Sequence, residues 1–320
     1  MKRKKSLSVI IFLLSFLVSG ALWSLYGPFE TVRKTYICTA LSTANHKYLA
    51  TCLYSDKTIE KYKKKYFNSV PDIPLQNEDS VKIESKKLKI ETKDVSVGMS
   101  SGKLMIISDP SAVDIAVCRY LESSGLKLSN LVIQENALAG INAGAYVQKG
   151  GYAHGSSPGG IIIKDGKVVF FEENGKKEHC LVGFDYKNIL KTAYVKNKSE
   201  AEKMKLRCGV SFGPPLIVNG KAIEFESGSS LQPRTAIAQR KDGSVLFLVL
   251  DGRQAKSPGA TLKNVQELLL DLKAVTAVNL DGGSSSSMIY EGKLLNNPSD
   301  KGMEQLIPTA FIVRKAIEKQ

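Results

Sequence analysis

Histidine is scarce in this chain and acidic residues are in deficit. The three histidines, His46, His154 and His179, stand far apart, so they do not offer the spacing of a metal site. Five cysteines, Cys38, Cys52, Cys118, Cys180 and Cys208, include no C-x-x-C pair. That gives no support to a zinc or dithiol redox motif and suits buried thiols, with a Cys180–Cys208 disulfide as the alternative for an exported chain. No G-x-S-x-G elbow occurs and no Gly-Lys-Ser/Thr follows the glycines. The serine run Ser284 to Ser287 is therefore not read as a nucleophile, nor the glycines as a P-loop.

The deficit of acid leaves 45 Lys/Arg against 31 Asp/Glu in 320 residues, a net charge of +14. Residues 1–94 hold 17 of those bases against 9 acids, so the excess is concentrated near the amino terminus. There Lys2-Arg3-Lys4-Lys5 precedes an uncharged run from Ser6 to Gly27, and ~20 apolar residues suffice to cross a bilayer. Basic residues ahead of such a run predict a cytoplasmic amino terminus and an exported body. Ser19-Gly20-Ala21 offers a cleavage site that would make the body secreted, but apolar residues continue through Leu22, Trp23 and Leu25, which favours an uncleaved anchor. An exported body makes nucleic acid an unsuitable partner; the charge points to an anionic membrane surface or envelope polymer.

The expected domains are an anchor over residues 1–27, a membrane-proximal helical segment and linker over 28–80, and a body over 81–320. In the second, Glu30 to Leu53 reads as one helix. A further helix capped by Asp56 presents Lys61, Lys63, Lys64 and Lys65, read as a solvated face ahead of a lipid-binding one. Phe67 to Ser80, with Pro71 and Pro74, is the linker. In the body, Val81 to Ile83, Leu88 to Ile90 and Leu104 to Ile107 read as strands. Asp109-Pro110-Ser111 predicts a helix over Ala112 to Glu122. Ile161 to Ile163 and Val168 to Phe171 form a hairpin over Asp165-Gly166, and Lys187 to Lys205 reads as partly helical.

Two stretches carry the chemistry. In the first, the apolar strand Ser244 to Leu250 ends at Asp251-Gly252-Arg253, a helix capped by Thr261 follows, and the strand Ala274 to Leu280 ends at Asp281-Gly282-Gly283. A βαβ crossover makes such strands parallel, so Asp251 and Asp281 are expected on one edge, where open α/β sheets bind ligands. Carboxylates with Arg234 and Arg253 available suit acid/base or nucleophilic work on a substrate that carries negative charge. In the second, small residues crowd Asn142 between Ala137 and Tyr146, which suits either direct ligand contact or a tightly packed strand. His154 follows in the loop from Gly150 to Gly160.

The runs PRTAIAQRKDGSVLFLVLDGR, VNLDGGSSSSMIYEGKLLNNPSD and IPTAFIVR, with the upstream GINAGAY, SSPGGIIIKDGK and FGPPLIVNGK, resemble the phosphodiester glycosidase family over roughly Leu104 to Arg314. The resemblance implies an α+β domain, a mixed twisted sheet with flanking helices and a carboxyl-terminal βαβ unit, that hydrolyses a sugar-1-phosphodiester. It implies Asp251 and Asp281 at the catalytic centre, Asn142 and Gly144 in sugar contact, and Arg234 and Arg253 on phosphate. Thr235, Gly282, Gly283, Ser284, Ser285 and His154 are the further substrate-binding candidates, the two glycines letting the substrate come close. Ser284 stands where a third glycine is usual, Ala143 where a second glycine is common, and Gln305 near where bacterial relatives often have arginine. No cofactor is required, and a divalent cation is neither required nor excluded. The rival expectation is a catalytically silent polymer-binding or assembly protein that keeps the fold.

Overall fold

The computed structural model describes residues 2–41, 47–66, 71–83, 86–147, 157–173, 178–225 and 230–315. The chain divides into two compact units, Met1–Ser69 with Glu226–Ser230, and Val70–Phe225 with Leu231–Gln320.

The smaller unit begins with the helix Lys2–Tyr26. Its segment Val9–Tyr26 is long and apolar enough to cross a membrane and has none of its residues buried by the protein. Side chains such as Phe12, Phe16 and Leu17 are exposed along it. Three more helices follow, Glu30–Leu41, Tyr48–Thr51 and Asp56–Tyr66. The single helix expected over Glu30 to Leu53 is thus two, and His46 lies outside the described residues. Ile37, Cys38, Ala50, Tyr54, Ile59, Tyr62 and Tyr66 form a small core. Tyr62 and Tyr66 lie four apart on one face of the last helix, so Lys61, Lys63, Lys64 and Lys65 are left facing solvent.

The larger unit is built from antiparallel sheets. A seven-stranded sheet orders Ile90–Val97, Ser100–Ile107, Val245–Leu250, Arg234–Arg240, Ala274–Leu280, Pro215–Val218 and Lys221–Ala222. One five-stranded sheet centres on Leu206–Ser211, and another places Ala137–Asn142 between Met288–Tyr290 and Thr309–Arg314. All three feed one core, which includes Ile141, Phe184, Val210, Phe247, Val278 and Phe311. Phe184 and Phe311 meet edge to face at 6.4 Å, a favoured aromatic geometry. A second core lies under the helix Leu262–Asp271, where Leu262, Val265 and Leu269 are buried. That helix opens on a capping box, the Thr261 hydroxyl accepting from the Asn264 N–H and the Asn264 side chain accepting from the Thr261 N–H.

The strands Val245–Leu250 and Ala274–Leu280 that flank this helix point the same way, as the crossover requires, but they are not neighbours. Arg234–Arg240 lies between them, antiparallel to both. A parallel pair separated by an antiparallel strand still brings both carboxyl ends to one edge, and adds the amino end of the central strand between them.

Two local expectations are corrected. Pro110–Ala112 makes only a 3-10 turn, and Val113–Val117 is a strand paired with Thr309–Arg314. Its V-D-I-A-V alternation buries Val113 and Ile115 in the core, and that period of two prevails over the helix-start signal at Asp109-Pro110. The strand expected at Leu88 begins at Ile90 and continues to Val97, and no strand forms at Val81 to Ile83. Lys187 to Lys205 is helical in part as expected, over Lys198–Lys203, and a strand, Leu190–Val195, precedes that helix. Cys180 and Cys208 are free and buried, as the reading of buried thiols expects, and the alternative disulfide does not form. Cys208 stands opposite Phe184, four residues along the strand from Cys180, and ~13 Å is too far to bridge. The hairpin over Asp165-Gly166 forms as expected, with positive φ at both residues (51° and 74°).

Candidate active site

The strand Arg234–Arg240 sets the layout of the site. Arg234 pairs with Leu250 on one side and Thr235 with Leu280 on the other. Asp251 and Asp281 each follow by one residue, so they flank Arg234 at the same sheet edge. Two strand spacings separate their backbones, roughly 10 Å.

Asp281 is held by its main chain. Its N–H donates to the Ala143 carbonyl at 3.0 Å, and its carbonyl accepts from the Asn142 side-chain amide. Asn142 is fully buried; its amide oxygen accepts from the Thr235 hydroxyl at 2.8 Å and from the Ser287 N–H at 3.1 Å. One amide thus joins the edges of two sheets to the turn that carries Asp281. The carboxylate is in a different position. Its Oδ2 is buried and has no hydrogen-bond partner, although the residue as a whole is partly exposed. Burial pushes the acid up to about 7, against the opposing pull of the Ser285 hydroxyl, the Gly282 N–H and the positive charge of Arg253.

Asp251 is also buried, and burial raises its pKa. Its Oδ1 accepts from the Asn296 side chain at 2.9 Å and the Asn297 N–H at 3.1 Å. Asn296 also donates to the Ser286 carbonyl and accepts from the Met288 N–H. Asp251 therefore ties the serine run to the segment that follows it.

Two guanidinium groups stand at this edge. Arg234 is buried, donates from Nε to the Ala260 carbonyl at 2.9 Å, and is pushed down to about 10 by burial and then by the charge of Arg253. Arg253 lies at the surface with φ of 60°. It donates to the Ser284 hydroxyl at 3.2 Å; partial burial lowers its pKa while Asp281 raises it. Among the described residues no ion pair within 4 Å involves Arg253. Two like charges close together, one of them buried, make a place where an anion is favourable.

The glycines act mainly on the protein itself. A Cβ at Gly282 would stand 2.8 Å from the Pro233 carbonyl oxygen, and one at Gly252 would stand 2.4 Å from the Pro233 nitrogen. Gly283 has φ of 62°, and a Cβ there would meet the Arg253 guanidinium at 3.2 Å. The close approach read from the sequence is thus filled by the 232–234 backbone and by Arg253. Ser285 is buried beside Asp281, its hydroxyl 3.3 Å from the Tyr146 hydroxyl. The buried Ser286 hydroxyl has no partner.

The structure thus gathers Asp281, Asn142, Thr235, Arg253, Gly282, Gly283, Ser284 and Ser285, with Arg234 and Asp251 alongside. Gly144 stands one step away, its N–H donating to the Thr309 hydroxyl, and a Cβ there would meet the Val210 side chain at 3.1 Å. His154 lies outside the described residues. Among the described residues, no three His, Cys, Asp or Glu side chains are grouped so as to hold a metal ion. Asn296, Asn297 and Tyr146 belong to the site but were not singled out from sequence. The Asn296-Asn297 doublet inside LLNNPSD was the available signal.

The chain resembles known proteins in sequence and in fold. The family model described as phosphodiester glycosidase matches residues 135–314. A prophage-derived protein of Bacillus subtilis is 43% identical over 75 residues, which is 23% of this chain and 12% of that protein. Mouse N-acetylglucosamine-1-phosphodiester alpha-N-acetylglucosaminidase is 27% identical over 159 residues, 44% of this chain and 30% of the enzyme. The chain therefore spans less than a third of the length of these curated relatives. Among solved structures, the catalytic domain of the zebrafish enzyme of that name, auto-inhibited by its pro-peptide, superimposes with a TM-score of 0.59. The identity is 20%, covering 72% of this chain and 83% of that one. A protein of Burkholderia pseudomallei superimposes with a TM-score of 0.53 at 16% identity, covering 68% and 74%. At such identities the likeness speaks for the fold.

Proposed function

The chain belongs to the phosphodiester glycosidase family, and from that membership we propose that it hydrolyses the bond between a sugar C1 and a phosphodiester oxygen, acting outside the cytoplasm on an envelope or extracellular glycan. The observation that carries this reading is the setting of Asp281, a carboxyl group pushed up to about 7 with one buried oxygen unpartnered, beside Arg253 and Arg234.

The leaving group decides the division of labour. A phosphate monoester, with a second pKa near ~6, departs without the protonation that an alkoxide needs. Arg253 and Arg234 would neutralise charge growing on the departing phosphate as the C1–O bond breaks. Ionised Asp281 would stabilise the positive charge developing at C1, or take a proton from the water that attacks it. Water supplies the new C1–O bond, and the products are free sugar and a phosphate monoester. Ser284 and Ser285 are assigned as hydroxyl donors along the phosphate. Asn142 and Asp251 are assigned to positioning, the first through the Asp281 main chain and the second through Asn296 and Asn297.

A synthetic sugar-1-phosphodiester incubated with the full-length chain tests this, with free sugar as the readout. Asp281→Asn should lower the rate by about 10²–10⁴-fold, the usual span for an acid/base group, and Asp251→Asn should lower it less while also lowering the melting temperature. A protein that binds polymer while both variants match the wild type would instead be a silent polymer-binding member of the family.

A further inference from the structure

Residues 1–69 of the smaller unit lie outside the matched residues 135–314, and nothing in the chemistry above uses them. The unit contains a cavity of about 550 Å³ lined by Tyr26, Glu30, Arg33, Tyr54, Ser55 and Lys61, among others. Tyr26 is the last residue of the helix Lys2–Tyr26. The cavity therefore opens where that helix ends, level with the headgroups if the helix crosses a bilayer.

Its walls are fixed to the helix end. The Tyr54 hydroxyl donates to the Leu25 carbonyl at 3.1 Å, and the Tyr26 hydroxyl donates to the Leu53 carbonyl. The Tyr26 and Tyr54 rings stand 5.4 Å apart. Trp23, Tyr26 and Phe29 are exposed around the same level, the aromatic belt that marks a membrane–water boundary. Arg33 donates to the Tyr26 carbonyl at 3.5 Å, and among the described residues neither Arg33 nor Lys61 has an ion pair within 4 Å. Glu30 is the one acid on the lining. Residues 28–66 hold eight Lys/Arg against three Asp/Glu, so the surroundings add to the positive field.

We propose that this cavity binds the phosphate headgroup of an anionic phospholipid, with Arg33 and Lys61 on the phosphate and the Ser55 and Tyr54 hydroxyls beside it. The proposal rests on the reading that Lys2–Tyr26 spans the membrane and is independent of the glycosidase activity. A phosphate ester could also arrive on a soluble molecule, and the two sources are separable. The solvated reading of the lysine face is compatible with this, since Lys63, Lys64 and Lys65 do not line the cavity.

The chain's single tryptophan, Trp23, stands 4.8 Å from Phe29 at the cavity level and reports on neighbouring lipid. The full-length protein is placed in phosphatidylcholine bilayers with a minor fraction of brominated phosphatidylglycerol or of brominated phosphatidylcholine. Trp23 quenching should show the anionic lipid enriched at the site, by roughly fivefold for each cation engaged. Arg33→Gln with Lys61→Gln should abolish that preference, while Lys63→Gln, Lys64→Gln and Lys65→Gln together should leave most of it. Equal quenching by both lipids in the wild type overturns the proposal. So does loss of preference in the triple variant with retention in the double one, which would make it diffuse surface charge. Removal of the preference by millimolar glycerol phosphate would overturn the lipid source in favour of a soluble one.

Discussion

At the residue scale, Asp281 turns burial into a pH dependence. Its folded pKa of about 7 lies above the ~3.9 of an unfolded chain, so between these values the folded state holds a proton that the unfolded state has released. Stability from this group is therefore full below pH ~4 and declines as pH rises through about 7, by an order of 4 kcal/mol in all. Asp281→Asn lacks that titration. Its melting temperature relative to the wild type should climb from pH 5 to pH 8, and a difference flat across that range would refute a raised pKa. If the ionised form works in catalysis, the wild-type rate should rise with pH through the same interval; a falling limb would assign Asp281 as an acid. Asn142 is the second decisive residue, because its buried amide serves Asp281, Thr235 and Ser287 at once. Asn142→Ala should cost about 2–4 kcal/mol in denaturant unfolding, as several buried groups lose their partner together. It should also lower the rate at saturating substrate.

At the element scale, the site depends on turns that press against one another. The Asp281-Gly282-Gly283 turn and the Asp251-Gly252 turn both close on the Gln232-Pro233 backbone. Gly282→Ala would force its Cβ against the Pro233 carbonyl oxygen, and should cost about 1–3 kcal/mol as an overpacked contact. The rate should fall with it, because the displaced residue adjoins Asp281. Gly220→Ala is the control. Gly220 has φ of 73° with open space around it, so about 1 kcal/mol of backbone strain and an unchanged rate are expected. Equal rate losses in the two variants would contradict the role given to the 282 contact.

At the scale of the whole molecule, the proposed extracytoplasmic placement of the body makes a prediction about its cysteines. Cys52 is exposed, whereas Cys38, Cys118, Cys180 and Cys208 are buried. A membrane-impermeant maleimide applied to intact cells that express the chain should label Cys52, and Cys52→Ser should remove the signal. Labelling that appears only after lysis would place the body in the cytoplasm and sink the extracellular reading.

Much of this was legible in residue order because its cause is local. The apolar run from Ser6, the Asp165-Gly166 hairpin, the Thr261 cap and the two strand-end acids each follow from neighbours in sequence, through length, turn chemistry and periodicity. The sharing of one edge by Asp251 and Asp281 was readable too, since a crossover helix forces the two strands parallel. Only the tertiary structure placed Arg234–Arg240 between those strands, because pairing between distant segments is decided by core packing rather than by local pattern. It also separated the two acids' surroundings: Asn296 and Asn297 satisfy Asp251, whereas burial leaves one oxygen of Asp281 unpartnered. The glycines beside the acids could be seen in the sequence as sites of close approach, and the partner that approaches them, the Gln232-Pro233 backbone, is contributed by the fold.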